Sequence, residues 1–165
     1  MIQMIIDKNR MEQQEEKDFK TTEKIMKQIF KSYNKVAVLK QNPSFSPIDA
    51  SMLVDKKYKY AVEIKERFQN LEEFATLPLK VAKYCSIKEN TPEDAKPLII
   101  YLLNEEQYFI FNLNKLDLNK CTIKNWFINK VEFCNGQQKE KQPTIFIPIE
   151  QAIYNGFITE DYANN

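Results

Sequence analysis

Asp49, Glu63 and Lys65 are the residues of this chain whose types and spacing carry chemistry. They lie between Ser46 and Lys65, where Ile48, Ala50, Met52 and Val54 alternate on one face, a polar break falls at Asp55-Lys56-Lys57, and Tyr58, Tyr60, Val62 and Ile64 alternate again. That pattern predicts a β-hairpin. If the break is a three-residue loop, Val54 faces Tyr58, and counting back along both arms sets Asp49 opposite Glu63. Cross-strand partners have Cβ atoms roughly 4.5–5.5 Å apart, and facing like charges destabilise unless a cation lies between them. A divalent cation is the natural candidate, and exchanging either carboxylate for its amide is expected to leave the metal-free fold as stable or slightly more so. Lys65, two residues beyond Glu63, projects from the same face. Two acidic ligands and a lysine on adjacent strands are what metal-assisted phosphodiester hydrolysis requires. The carboxylates fix Mg²⁺ or Mn²⁺, the metal activates water and neutralises phosphate, and the lysine positions or stabilises the charged species. The competing reading makes Ala61, Glu63 and Lys65 the solvated face of a half-buried hairpin and Asp49 a turn residue after Pro47.

Composition removes most other chemistries. The 165 residues contain no histidine, which excludes His-based zinc sites, Ser/His/Asp triads and imidazole acid–base catalysis. Gly136 and Gly156 are the only glycines, so no phosphate-cradling glycine motif exists. With 24 basic and 23 acidic residues the net charge is +1, and no global field advertises a nucleic-acid or membrane partner. Cys85, Cys121 and Cys134 are widely spaced and form no CxxC pair, which predicts buried, reduced packing thiols in a cytosolic-type compartment. The opening Met1–Ile6 is too short and too soon followed by charge for a signal peptide or membrane span, so a soluble intracellular (cytoplasmic) protein without a membrane partner is expected.

The elements that must position the hairpin are legible in outline. Phe19, Met26, Ile29 and Phe30 recur at helical spacing between about Asn9 and Tyr33, predicting a long amphipathic helix. Val36–Leu39 reads as a strand, and Pro43 and Pro47 bracket the following loop. A second helix is expected to start at Pro78, with Leu77, Val81, Tyr84 and Cys85 as its apolar stripe and Asn90 and Pro92 at its end. Pro97–Leu103 and Gln107–Phe111 read as strands joined by the turn Asn104–Glu106. Beyond Asn112 the period around Trp126 and Phe127 is unclear, Gly136–Gln142 reads as a polar loop and Thr144–Pro148 as a strand. The expected order of helix, three strands, helix, two strands specifies an α/β sheet with helices packed on it. One domain spanning 1–165 is expected, with a core at about 10–112 and a C-terminal extension over 113–165.

Acidic-x-Lys tripeptides are common in so charged a chain: Glu15-Glu16-Lys17, Asp18-Phe19-Lys20, Asp55-Lys56-Lys57 and Asp94-Ala95-Lys96 all match. Only Glu63-Ile64-Lys65 lies in an alternating strand that follows one led by Pro47-Ile48-Asp49. At these residues the sequence resembles the PD-(D/E)xK nuclease superfamily, and the resemblance extends over approximately residues 10 to 112. It implies an α/β, restriction-endonuclease-like mixed central sheet flanked by helices, and Mg²⁺- or Mn²⁺-dependent cleavage of nucleic acid, DNA in preference to RNA. It further implies Asp49 and Glu63 as metal ligands, Lys65 as the catalytic ammonium, and a glutamate of the first helix, Glu23 or alternatively Glu16, joining the site. Lys80 and Lys83, one turn apart on the second helix, would contact phosphate, with Arg67 and Lys59 extending the basic rim; a solvated helix face is the plainer reading of the two helix lysines. Specificity would come from substrate shape, a homodimer or a partner subunit. Tyr58, Tyr60 and Trp126 are expected to be core aromatics and not a base-stacking platform. An alternative of another class is a catalytically inactive nuclease-fold protein acting as a nucleic-acid or protein interaction module.

Overall fold

The computed structural model describes residues 2–69, 71, 75–129 and 139–159. The chain opens with α1 (Ile2–Ser32), followed by β1 (Ala37–Gln41), β2 (Ala50–Val54), β3 (Tyr58–Arg67) and β4 (Thr76–Lys80). Then come α2 (Val81–Asn90), β5 (Ala95–Leu103), β6 (Gln107–Asn112), β7 (Thr122–Asn129), β8 (Lys139–Pro148) and β9 (Tyr154–Phe157). Two sheets result. The larger has the order β1-β2-β3-β5-β6-β9, and the smaller β4-β8-β7. Among the described residues only β3 and β5 pair in parallel; every other pairing is antiparallel. The large sheet is therefore mixed and flanked by helices, as the sequence leads one to expect.

Each face of that sheet has its own core. On one face, Ile25, Met26 and Phe30 of α1 meet Ala50, Met52, Val54, Val62, Leu98 and Ile100. The i, i+1, i+5 spacing of these helix residues keeps one stripe inward, with Ile29 and Phe19 at its margins. On the other face, Ile87 of α2 and Leu77, Leu79, Ile145 and Ile147 of the small sheet cover Ile99, Tyr101, Phe109 and Phe111. Because both faces are covered, Leu98–Leu103 of β5 is a continuous buried run and not an alternating one.

The hairpin tip closes as its residues require. Asp55 (φ 52°) and Lys56 (φ 55°) are left-handed, the Lys57 N–H donates to the Val54 carbonyl at 3.0 Å, and Val54 pairs with Tyr58. Paired left-handed residues match the strand twist in such turns. The Asp55 carboxylate also accepts from the Val36 N–H at 2.8 Å, tying the tip to the start of β1.

Several expectations are corrected. Pro78 does not open a helix: Leu77 and Leu79 alternate inward in β4, and α2 begins at Val81. β4 is an edge strand of the small sheet, where a residue without an N–H is tolerated. Lys80 consequently ends β4, opposite Thr144, and does not share a helix face with Lys83. Within the expected polar loop, Lys139–Gln142 belongs to β8 and pairs with β7, while Gly136 lies outside the described residues. β9 hydrogen-bonds to β6, and β8 contributes Ile145 and Ile147 to the second core. At Gly156 of β9 a Cβ would stand 2.7 Å from the Tyr108 hydroxyl and 2.8 Å from its ring, so any side chain there would displace Tyr108. Cys85 is exposed and not buried, Cys121 is half-buried, and both are free thiols; Cys134 lies outside the described residues. Among the described residues no helix is long and apolar enough to cross a membrane.

Candidate active site

The β2–β3 register runs from Val54↔Tyr58 to Ala50↔Val62. One further step puts Asp49, the residue before β2, opposite Glu63. The ladder stops there, and the Asp49 side chain takes over: Oδ2 accepts the Ile64 N–H at 2.7 Å. Asn42 holds the approach to Asp49 by donating its backbone N–H to the Asp49 carbonyl at 2.8 Å and its amide to the Ile48 carbonyl at 2.9 Å. Asn42 was not singled out from the sequence; its place immediately before Pro43, in a loop that must present Asp49, is the signal.

Glu63 is completely buried on the α2 side of the large sheet, beside Ile99 of β5. Two ammonium groups reach its Oε1, Lys65 Nζ at 2.9 Å and Lys83 Nζ at 2.8 Å. Oε2 has no hydrogen-bond partner among the described residues. Burial pushes the Glu63 carboxyl above its ordinary range; the Lys65 charge opposes the rise, the neighbouring Asp49 charge adds to it, and Lys83 pulls it back. Lys83, in the first turn of α2, also donates to the Pro47 carbonyl at 3.0 Å. It therefore joins the two halves of the motif, a role that sequence reading did not assign to it.

Asp49 and Lys65 line a cavity of about 490 Å³ between α1, the loop from Gln41 to Ile48 and the end of β3. The acidic residues that α1 contributes to it are Glu15 and Asp18. Glu23 and Glu16 are not among its lining residues: Glu23 pairs with Lys27 at 2.8 Å along the helix, and Glu16 pairs with Lys20 at 2.7 Å beside a neighbouring cavity. Glu15 and Asp18, three residues apart, are neighbours on the helix surface, and Asp18 also lines the neighbouring cavity together with Glu16. Asp18 is pushed up to about 7, chiefly by burial and then by the Glu66 charge, although Gln14 donates to its Oδ1 at 2.9 Å. Arg67 lines the cavity and donates to the Glu66 carbonyl at 2.8 Å, whereas Lys59 pairs with Asp94 away from it.

The aromatics divide. Tyr60 is half-buried against Phe30, as expected. Tyr58 and Trp126 are exposed instead, each with lysine ammonium groups over its ring: Lys35 and Lys57 at 5.2 and 5.4 Å for Tyr58, and Lys124 at 4.9 Å for Trp126. At the cavity rim Phe45 and Phe68 are exposed.

A hard divalent cation fits the donor set at Asp49 and Glu63. A buried carboxylate oxygen lacks a partner among the described residues, and Mg²⁺ is ordinarily held by one or two carboxylates completed by water and substrate phosphate. No cluster of three or more His, Cys, Asp or Glu side chains suited to a metal forms among the described residues.

No family model matches the chain, and no curated protein matches it. Among solved structures, similarity is found to the Holliday junction resolvase Hjc of Archaeoglobus fulgidus, at 14% identity and a TM-score of 0.41, covering 60% of this chain and 79% of that one.

Proposed function

We propose that this chain is a metal-dependent nuclease that hydrolyses phosphodiester bonds in nucleic acid, DNA in preference to RNA. The observation that supports this reading most is the meeting of Asp49, Glu63 and Lys65 at one end of the β2–β3 pair, with a fully buried Glu63 oxygen left without a partner among the described residues. Asp49 and Glu63 hold Mg²⁺ or Mn²⁺, which when bound supplies an activated water and charge neutralisation at the phosphate. Asp49 is oriented for this by the Ile64 N–H. Lys65 stands on the same face as Glu63 and lines the cavity, where its ammonium stabilises charge developing on phosphate oxygens. With a net charge of +1, affinity comes mainly from phosphate contacts and falls as salt rises.

The test is incubation with single-stranded, double-stranded and branched DNA and with RNA, in Mg²⁺, Mn²⁺ or EDTA. Cleavage that EDTA abolishes, and that Lys65→Ala slows about 10²–10³-fold, is the expected result. Cleavage that persists in EDTA, or that survives Asp49→Ala unchanged, overturns the reading. The two ion pairs on Glu63 favour a second reading, a nuclease-fold interaction module whose buried carboxylate is neutralised by lysines alone. Nucleic-acid binding without cleavage under any condition would select it.

A further inference from the structure

Lys83 is anomalous for its position. It is the third residue of α2, where the positive end of the helix dipole disfavours a cation. Its ammonium nevertheless turns towards the hairpin, 2.8 Å from Glu63 Oε1 and 3.0 Å from the Pro47 carbonyl. These two oxygens belong to the two arms of the motif, Pro47-x-Asp49 and Glu63-x-Lys65. A lysine ammonium is a compact point charge on a flexible stem, and the Lys83 side chain is still 26% exposed while that of Glu63 is wholly buried. The stem can therefore swing the charge into water, whereas Glu63 cannot follow it.

We infer that Lys83 is a built-in counter-cation of the metal site, holding Glu63 and the Pro47 loop together until a divalent cation displaces its ammonium from Glu63 Oε1. The inference rests on the nuclease reading for the presence of a metal at Asp49 and Glu63, and adds to it a residue that sets metal affinity. Glu63 is wholly buried, and a carboxylate taken out of water is costly unless a cation is paired with it. Lys83 supplies one from α2 while Lys65 supplies another from β3 itself. An incoming Mg²⁺ or Mn²⁺ must share Glu63 with two like charges, of which Lys83 is the more exposed and also bonds the Pro47 carbonyl. Displacement of Lys83 would also give up its bond to the Pro47 carbonyl, while Asp49 stays held by the Ile64 N–H. Removing the Lys83 charge should strengthen metal binding, opposite to the effect of removing a ligand.

Calorimetric Mn²⁺ titration without nucleic acid tests this on the full chain, using wild type, Lys83→Met, Lys83→Arg and Asp49→Asn, each checked for a cooperative thermal melt. Lys83→Met should bind Mn²⁺ about tenfold more tightly than wild type, the size expected for removing one like charge near a divalent ion in a wet site. Lys83→Arg should stay near wild type, and Asp49→Asn should weaken binding. In melts without metal, Lys83→Met should unfold at a lower temperature than wild type, and added Mn²⁺ should recover the difference. Lys83→Met binding Mn²⁺ as weakly as wild type, or more weakly, would overturn the counter-cation role while leaving the metal site standing. Absence of binding in wild type and every variant would overturn the nuclease reading and this inference together. Binding in Lys83→Met but not in wild type would support the inference in its strongest form, a site that Lys83 keeps closed. If Lys83→Met does not fold, Lys83→Gln takes its place in the same comparison.

Discussion

The Ile64 N–H donates to Asp49 Oδ2 at 2.7 Å, where the β2–β3 ladder has run out. A side chain thus completes the pairing that the backbone leaves open, and the carboxylate is aimed by the strand carrying Glu63. Asp49 is oriented before any ion arrives, which is how a site on rigid strands differs from one assembled by its ligand.

That bond separates two functions of Asp49 that substitution can resolve. Asp49→Asn keeps an oxygen for the Ile64 N–H but loses the charge; Asp49→Ala loses both. Asp49→Asn should therefore melt close to wild type, and Asp49→Ala should be less stable by about 1–2 kcal/mol, the cost of a half-buried donor left unpaired. Both should lose Mn²⁺ affinity by at least roughly tenfold. Equal stability of the two variants in urea unfolding would show that the hydrogen bond contributes nothing measurable.

Glu63→Gln tests the electrostatics of the buried half. Two facing carboxylates alone predict that an amide relieves repulsion. With Lys65 and Lys83 both on Oε1, removing the charge instead takes a carboxylate away from two largely desolvated ammonium groups. Metal-free Glu63→Gln should lose about 1–3 kcal/mol, less than a fully buried pair would because Lys83 reaches solvent. Double substitution with Lys83→Met should recover part of that loss in a double-mutant cycle. A single substitution more stable than wild type would restore the repulsion argument.

Asp18 gives the fold a pH dependence. Its folded value of about 7 lies above the ordinary 3.8, so between these limits the folded chain retains a proton that the unfolded chain has released. The sign follows: the contribution of Asp18 to stability is greatest below about pH 4 and falls as pH rises to about 7. Asp18→Asn removes the titration, so its melting temperature relative to wild type should climb across that window and level off above it. A difference between the two melts that stays flat from pH 4 to 8 would show that Asp18 titrates normally.

Local signals carried the hairpin: alternation on both arms and the polar triplet between them were enough to place Asp49 across from Glu63. They reach less far where tertiary context decides. Leu77-Pro78-Leu79 contains a proline that suits a helix start, and only the distant β8 makes it an edge strand. The α1 acids facing the cavity depend on where the helix crosses the sheet, which one helix's own periodicity does not reveal; Glu15 and Asp18 line the cavity, and Glu23 and Glu16 do not. Lys83 reaches Glu63 through the packing of α2 on the sheet, a relation between residues 20 apart in sequence that no spacing rule encodes. Trp126 is the only tryptophan, and its exposure runs against strand aromatics being core. It sits on β7, which among the described residues is an edge strand of the small sheet.

Phe45 combines two costs in one residue. The Ser46 N–H donates to the Pro43 carbonyl at 3.0 Å, closing a turn in which Phe45 is the third residue with φ 65°. Glycine or asparagine is the ordinary occupant of such a position, and a bulky side chain there costs about 1 kcal/mol or more. Burial does not repay it, because Phe45 is 96% exposed. Phe45→Asn should therefore raise stability by about 0.5–1 kcal/mol, seen as a melting temperature higher by roughly 2 °C. The ring also lines the cavity that holds Asp49 and Lys65, where on the nuclease reading a nucleic-acid strand would pass. Stacking on an exposed ring is sequence-tolerant and contributes about 1–3 kcal/mol per base. On the nuclease reading, Phe45→Asn should thus raise KM for nucleic acid while leaving kcat at saturation unchanged. A lower melting temperature would refute the strain argument, and an unaltered KM would remove the ring from the substrate path.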